Sequence, residues 1–140
     1  MKQEIEFLNY IYQNARMGVI GIKELLPYVK HEDFKKLLNH ELEEYELICD
    51  DTIKLFIKYK KEEKDVSKMA KIMTYMSVKT SKKDNVNKFA KMMIEGSNKG
   101  IIEINEKLNY YKGVSPKIID LANRLLETEQ NNINELKKYL

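Results

Sequence analysis

Apolar residues recur at spacings of three and four along four long stretches of this chain, and that spacing suits helices packed side by side. Ile5, Leu8, Tyr12, Ala15, Val19, Ile22 and Leu26 form the first seam. At ~100° of rotation per residue they share one face of a helix. Phe34, Leu38, Leu42, Tyr45, Cys49, Phe56 and Tyr59 form a second, and Phe89, Met93, Ser97, Gly100, Ile104, Leu108 and Tyr111 a third. Ile118, Ala122, Leu125, Ile133, Leu136 and Leu140 complete the set. No run alternates long enough to make a half-buried strand. The spacing predicts an all-α protein.

The punctuation between seams sets the boundaries. Pro27 ends the first helix, because proline lacks the N–H and clashes with the preceding turn. Glu32 and Asp33 place acid where a helix N-terminus is positive, and the second helix is expected to run to Tyr59. Asp84 or Asn85 can cap the third. Gly113 suits a C-terminal stop, and Ser115-Pro116 reads as a capping hydroxyl followed by proline at the first helical position. Between Tyr59 and Asn85, Met69, Ile72, Met73 and Met76 fall at helical spacing. They predict a short extra helix over residues 66–80 in the long connection. With 43% hydrophobic residues, residues 1–140 form one helical-bundle domain around one core.

Charge and cysteine usage narrow the classes of function. From Lys54 to Lys91 twelve Lys face only Glu62, Glu63, Asp65 and Asp84, although the whole chain carries only +3. Such a segment can attract nucleic acid or another anion. Arg16 and Arg124, the only arginines, lie outside it, so bidentate phosphate or base contacts are poorly served. A solvated connector is the preferred reading, with anion or nucleic-acid binding through Lys54, Lys58, Lys60, Lys61, Lys82 and Lys83 the lesser one. No stretch approaches the ~18 apolar residues of a membrane span. The opening Met1-Lys2-Gln3-Glu4-Ile5-Glu6 carries acids and no apolar run, unlike a secretory leader. Cys49 reads as a small core hydrophobe in a reducing compartment, and the expectation is a cytoplasmic protein. With two His and one Cys, metal-free nucleophilic catalysis has little to work with.

Two residues interrupt this bland picture. Glu41 falls inside the apolar sector of the second helix, and Glu129 lies at the centre of the apolar face of the last. Carboxylates are rarely buried unless paired or bound to metal. Hydrogen bonds to Tyr12, Tyr45, Ser97, Asn132 or water would satisfy them without a metal. Ala15, Gly18, Gly96 and Gly100 face them with little side chain. These small residues allow close helix approach, or leave a polar pocket lined by Ala15, Tyr45, Ser97 and Asn132.

At this level the chain resembles the ferritin-like superfamily. Helix two offers Glu41-Leu42-Glu43-Glu44 and helix four Glu129-Gln130-Asn131-Asn132, each beginning like the Glu-x-x-His of those bundles. The segments Leu8-Asn9-Tyr10-Ile11-Tyr12-Gln13-Asn14-Ala15, Glu95-Gly96-Ser97 and Leu121-Ala122-Asn123-Arg124-Leu125-Leu126 look like the uncharacterised rubrerythrin-related small proteins of clostridia. The resemblance implies a crossover connection between helices two and three, and a di-metal centre at mid-core. Here Glu44 and Asn132 stand in the histidine places. Helix one has Ala15 at the ligand level and helix three has Gly96, Ser97 and Gly100, while Glu95, Glu103 and Glu106 are expected to point outward.

Two functions follow as expectations. The first is a ferritin-like bundle that has lost its di-metal centre and serves as a non-enzymatic structural or interaction protein, self-associating as a homodimer through a helix face, with no cofactor. The second is a degenerate metal-binding protein in which Glu41 and Glu129, assisted by Glu44, hold a divalent manganese or iron ion.

Overall fold

A computed structural model describes residues 2–59 and 85–140. Four helices account for most of them: α1 (Lys2–Leu25), α2 (Glu32–Lys58), α3 (Val86–Tyr110) and α4 (Pro116–Leu136). Among the described residues there is no strand. The helix of residues 66–80 expected in the connection lies outside the described residues.

Each boundary has a local cause. Pro27 sits in a 3-10 turn, Leu26–Tyr28, that closes α1. His31 caps α2 through its ring, with Nδ1 accepting from the Phe34 N–H at 3.1 Å. The Asn85 side chain accepts from the Lys88 N–H at 3.1 Å to start α3. Ser115 accepts from the Lys117 N–H at 3.3 Å, with Pro116 opening α4. Each cap gives a partner to an N–H that the helix itself leaves unpaired, worth about 1 kcal/mol. Gly113, at φ 74°, supplies the left-handed residue that turns the chain between α3 and α4.

Contacts between helices give their directions. Glu4 meets Tyr59 and Gly18 meets Tyr45, so α1 and α2 are antiparallel. Tyr10 lies beside Lys107 and Asn14 bonds to Gly100, so α1 and α3 are antiparallel too. Phe34 touches Tyr139, Tyr45 reaches Glu129, and Arg124 pairs with Asp51, which makes α2 and α4 antiparallel. The helix pairs α1 with α2 and α3 with α4 share the most extensive contacts. It follows that α1 runs parallel to α4. The end of α2, beside Glu4, and the start of α3 lie at opposite ends of the bundle. This is the crossover arrangement of a ferritin-like four-helix bundle, not a simple up-down-up-down chain.

The core runs the length of the bundle. Phe7, Phe34, Phe56 and Phe89 are each 0% exposed, and Ile11, Ile22, Leu38, Ile104 and Leu125 fill the space between them. Each fully buried side chain of this size stabilises the fold by about 1.5–3 kcal/mol. Cys49 is buried as expected. Leu140 is not part of its seam: it is exposed, because a 3-10 turn, Lys137–Tyr139, rotates the chain off the face of α4.

Candidate functional site

The middle of this core is polar. Glu41 is 0% exposed, Glu129 3% and Asn132 0%, and Ser97 and Asn14 are buried as well. Helical spacing explains why Glu129 and Asn132 share a face: three residues apart, they are neighbours on successive turns of α4. The crossing of α2 and α4 places Glu129 opposite Tyr45.

Both carboxyls act on the Tyr45 phenol. The acids near Glu41 are Glu135 and Glu44, whereas Glu129 has Tyr45 and Glu103 for neighbours. The Tyr45 hydroxyl donates to Glu129 Oε1 at 3.5 Å, a long hydrogen bond. Both oxygens of Glu41, the second oxygen of Glu129 and both polar atoms of Asn132 have no hydrogen-bond partner among the described residues. Asn132 stands near the Tyr45 hydroxyl, but outside hydrogen-bonding geometry.

Burial decides the charge state. It pushes the Glu41 carboxyl up to about 9, with the Glu135 and Glu44 carboxylates adding to the effect. It also pushes Glu129 up to about 9, against the Tyr45 hydrogen bond, which favours the ionised form. A charge in low dielectric loses its hydration, so the neutral acid is preferred. Burial and the Glu129 carboxyl raise the Tyr45 phenol far above its ordinary value, although Ser97 and Asn132 beside it act the other way.

Two glycines make room for these side chains. A Cβ on Gly18 would lie 2.7 Å from the Tyr45 ring, so the phenol packs flat against α1. A Cβ on Gly100 would lie 2.5 Å from both oxygens of Glu129 and 2.8 Å from Asn14 Oδ1. The same Asn14 donates from Nδ2 to the Gly100 carbonyl at 3.1 Å. Ala15 is fully buried within the apolar core.

The third metal candidate, Glu44, lies near Glu41 but not in the core. It is turned toward the surface, where it lies 3.6 Å from His40, one helical turn earlier. Among the described residues no group of three His, Cys, Asp or Glu side chains is placed to hold a metal ion. Among the described residues the donors present do not fit a di-metal centre: Glu129 accepts from Tyr45, Glu44 is turned toward the surface beside His40, and the ligand levels of α1 and α3 hold Ala15 and Gly100.

Two residues behave differently from the sequence reading. Glu103 is half-buried rather than turned outward. Burial raises its carboxyl, and the Lys107 ammonium and a hydrogen bond from Asn14 lower it. Asn14, buried and central, was not singled out. Its signal was present in the sequence, since Phe7, Ile11, Asn14 and Gly18 follow one another at spacings of four, three and four. Of the basic connector only Lys54 and Lys58 are described, and both are exposed; Lys60, Lys61, Lys82 and Lys83 lie outside the described residues.

No family model matches the chain, and no curated protein matches it either. Among solved structures the chain is similar to the crystal structure of a DUF305 fragment from Deinococcus radiodurans. The TM-score is 0.73 at 11% sequence identity, over 99% of this chain and 95% of that one. At that identity the likeness is one of fold, a helical bundle. No helix among the described residues is long and apolar enough to cross a membrane.

Proposed function

We propose that this chain is a non-enzymatic structural or interaction protein of the cytoplasm, a rubrerythrin-related bundle whose mid-core serves the fold instead of a metal pair. One observation carries the reading. The oxygens of Glu129 lie against Gly100 and Asn14, in space that a second acidic ligand on α3 would need. Burial also favours the neutral form of this acid, whereas a metal ligand must be deprotonated. Contacts with other molecules then fall to the outer faces. Leu47 and Ile57 on α2 and Ile102 and Tyr110 on α3 are exposed there, and a second copy of the chain is the expected partner.

Elemental analysis of protein purified without chelator tests the first half of this reading. The expected result is far less than two equivalents of iron per chain, with negligible ferroxidase or peroxidase activity. Stoichiometric iron or manganese that disappears in Glu41→Ala would defeat it. Sedimentation equilibrium tests the second half, and a strict monomer at high concentration would remove self-association.

A further inference from the structure

We propose that Glu129, as a neutral acid, closes a hydrogen-bond chain through all four helices: Tyr45 on α2, Glu129 on α4, Asn14 on α1 and the Gly100 carbonyl on α3. The proposal rests on the metal-free reading above and adds a device to it, a latch that holds only while Glu129 keeps its proton.

The geometry is one of acceptors that crowd together. A backbone carbonyl can only accept, so the Asn14 atom 3.1 Å from Gly100 O must be the amide nitrogen. That fixes Oδ1 as the end turned away from it. Oδ1 and both Glu129 oxygens converge on one spot above the Gly100 Cα, within 2.8 Å and 2.5 Å of where a Cβ would stand. An ionised carboxylate and an amide oxygen both accept, so across this spot they form a hydrogen bond only if one of them carries a hydrogen. The Tyr45 proton is already committed to Oε1. Oε2 is buried and has no other protein partner, so a proton on Glu129 is the donor that the arrangement lacks.

The surroundings oppose the alternative, an ionised Glu129. The titratable groups that face it are Tyr45 from α2 and Glu103 from α3, while α1 presents the uncharged Asn14. Neither neighbour is a cation. Gly100 has a specific role in this scheme, because any larger residue would displace the carboxyl from Asn14.

A double-mutant cycle in metal-free protein tests the latch. Gly100→Ala in the parent should lower the folding equilibrium constant by about tenfold or more, since overpacking costs roughly 1–3 kcal/mol. In a Glu129→Ala background the same change should cost markedly less, because only Asn14 Oδ1 then stands against the methyl group and alanine suits a helix better than glycine. Glu129→Gln keeps both a donor and an acceptor and no longer has to take up a proton on folding, so it should be as stable as the parent at pH 7 or more so. In an infrared difference spectrum against Glu129→Gln, the parent should show the carbonyl band of a protonated carboxyl. That measurement stands even if Glu129→Ala fails to fold. Equal effects of Gly100→Ala in both backgrounds, or a missing carboxyl band, would overturn the latch and leave the metal-free reading intact. A rise in the parent's melting temperature with one equivalent of Mn2+, absent from Glu129→Gln, would put a cation where the proton is placed and overturn both.

Discussion

Tyrosine meets glutamate at the lower end of the bundle and again in its middle, with opposite consequences. At the lower end Tyr59 donates to Glu4 at 2.6 Å and Tyr111 to Glu6 at 3.1 Å, with both carboxyls half in water. The phenols bear the cost there. The hydrogen bond to Glu4 raises Tyr59, and burial, joined by the bond to Glu6, raises Tyr111 to about 12. At mid-core the Tyr45 bond to Glu129 is longer, at 3.5 Å, and the carboxyl itself moves to about 9. The residue types are the same. Where water reaches the pair, the phenol holds on to its proton. Where water is excluded, the acid keeps its own proton.

The sharpest way to break this contrast is to vary pH. Glu41 and Glu129 are raised in the folded state from 4.5 to about 9, so between those values the folded chain binds more protons than the unfolded one. Stability from these groups is fully present below pH 4.5 and is lost as pH rises through about 9. Within that window each group lowers stability by up to about 1.4 kcal/mol per pH unit. Denaturant titrations from pH 5 to 9 should show the fall, and a Glu41→Gln, Glu129→Gln double variant should flatten it. A parent whose stability rises across this range would contradict the assignment. The Tyr59 and Tyr111 phenols, raised from an ordinary value of 10.0, should contribute no slope there.

Glu41→Met tests the mid-core alone. Its two oxygens are buried without partners, and an unsatisfied buried polar group costs about 1–3 kcal/mol. Replacing the acid by an apolar side chain of similar length should raise stability at pH 7 by about that much. A loss of stability would mean that Glu41 has a partner the protein needs.

The lower end should respond more weakly. Tyr59→Phe and Tyr111→Phe each remove one hydrogen bond at a partly wetted position, and should cost about 0.5–1.5 kcal/mol. Differences in thermal midpoint will measure this, and a cost well above that range would place these pairs on a par with the core. The smallest effect should come from the outer surface, where Arg124 pairs with Asp51 and holds that carboxyl below its usual range. Both side chains are more than a third exposed, so Arg124→Ala should cost less than about 1 kcal/mol, and less still in high salt.

Much of this molecule could be read along the chain. The four seams became α1 to α4, Asn85 and Ser115 became caps, and Glu41 and Glu129 are as buried as their positions on apolar faces implied. The His31 cap of α2 was not legible, because imidazole is not among the usual capping groups. Glu103 was assigned to the outside because it sits at the margin of the apolar sector of α3. A margin becomes inside or outside only when a neighbouring helix, here α1 with Asn14, covers it. Asn14 was legible as a polar residue at an apolar spacing. Nothing nearby in sequence identifies its partners, which lie on α3.

The sequence by itself determined the helices, their ends and the set of residues that must leave water, since capping and amphipathic spacing act over three or four residues. Only the tertiary structure decided which acid faces which partner. Asn14 finds Gly100 and Tyr45 finds Glu129 across separations of 86 and 84 residues. At such distances the pairing depends on how far each helix slides along its neighbour. A slide of one turn, ~5.4 Å, would carry each of these side chains to a different partner. The packing of whole helix faces sets that slide, with Gly18 under the Tyr45 ring and Gly100 under the Glu129 carboxyl, and no local pattern encodes it.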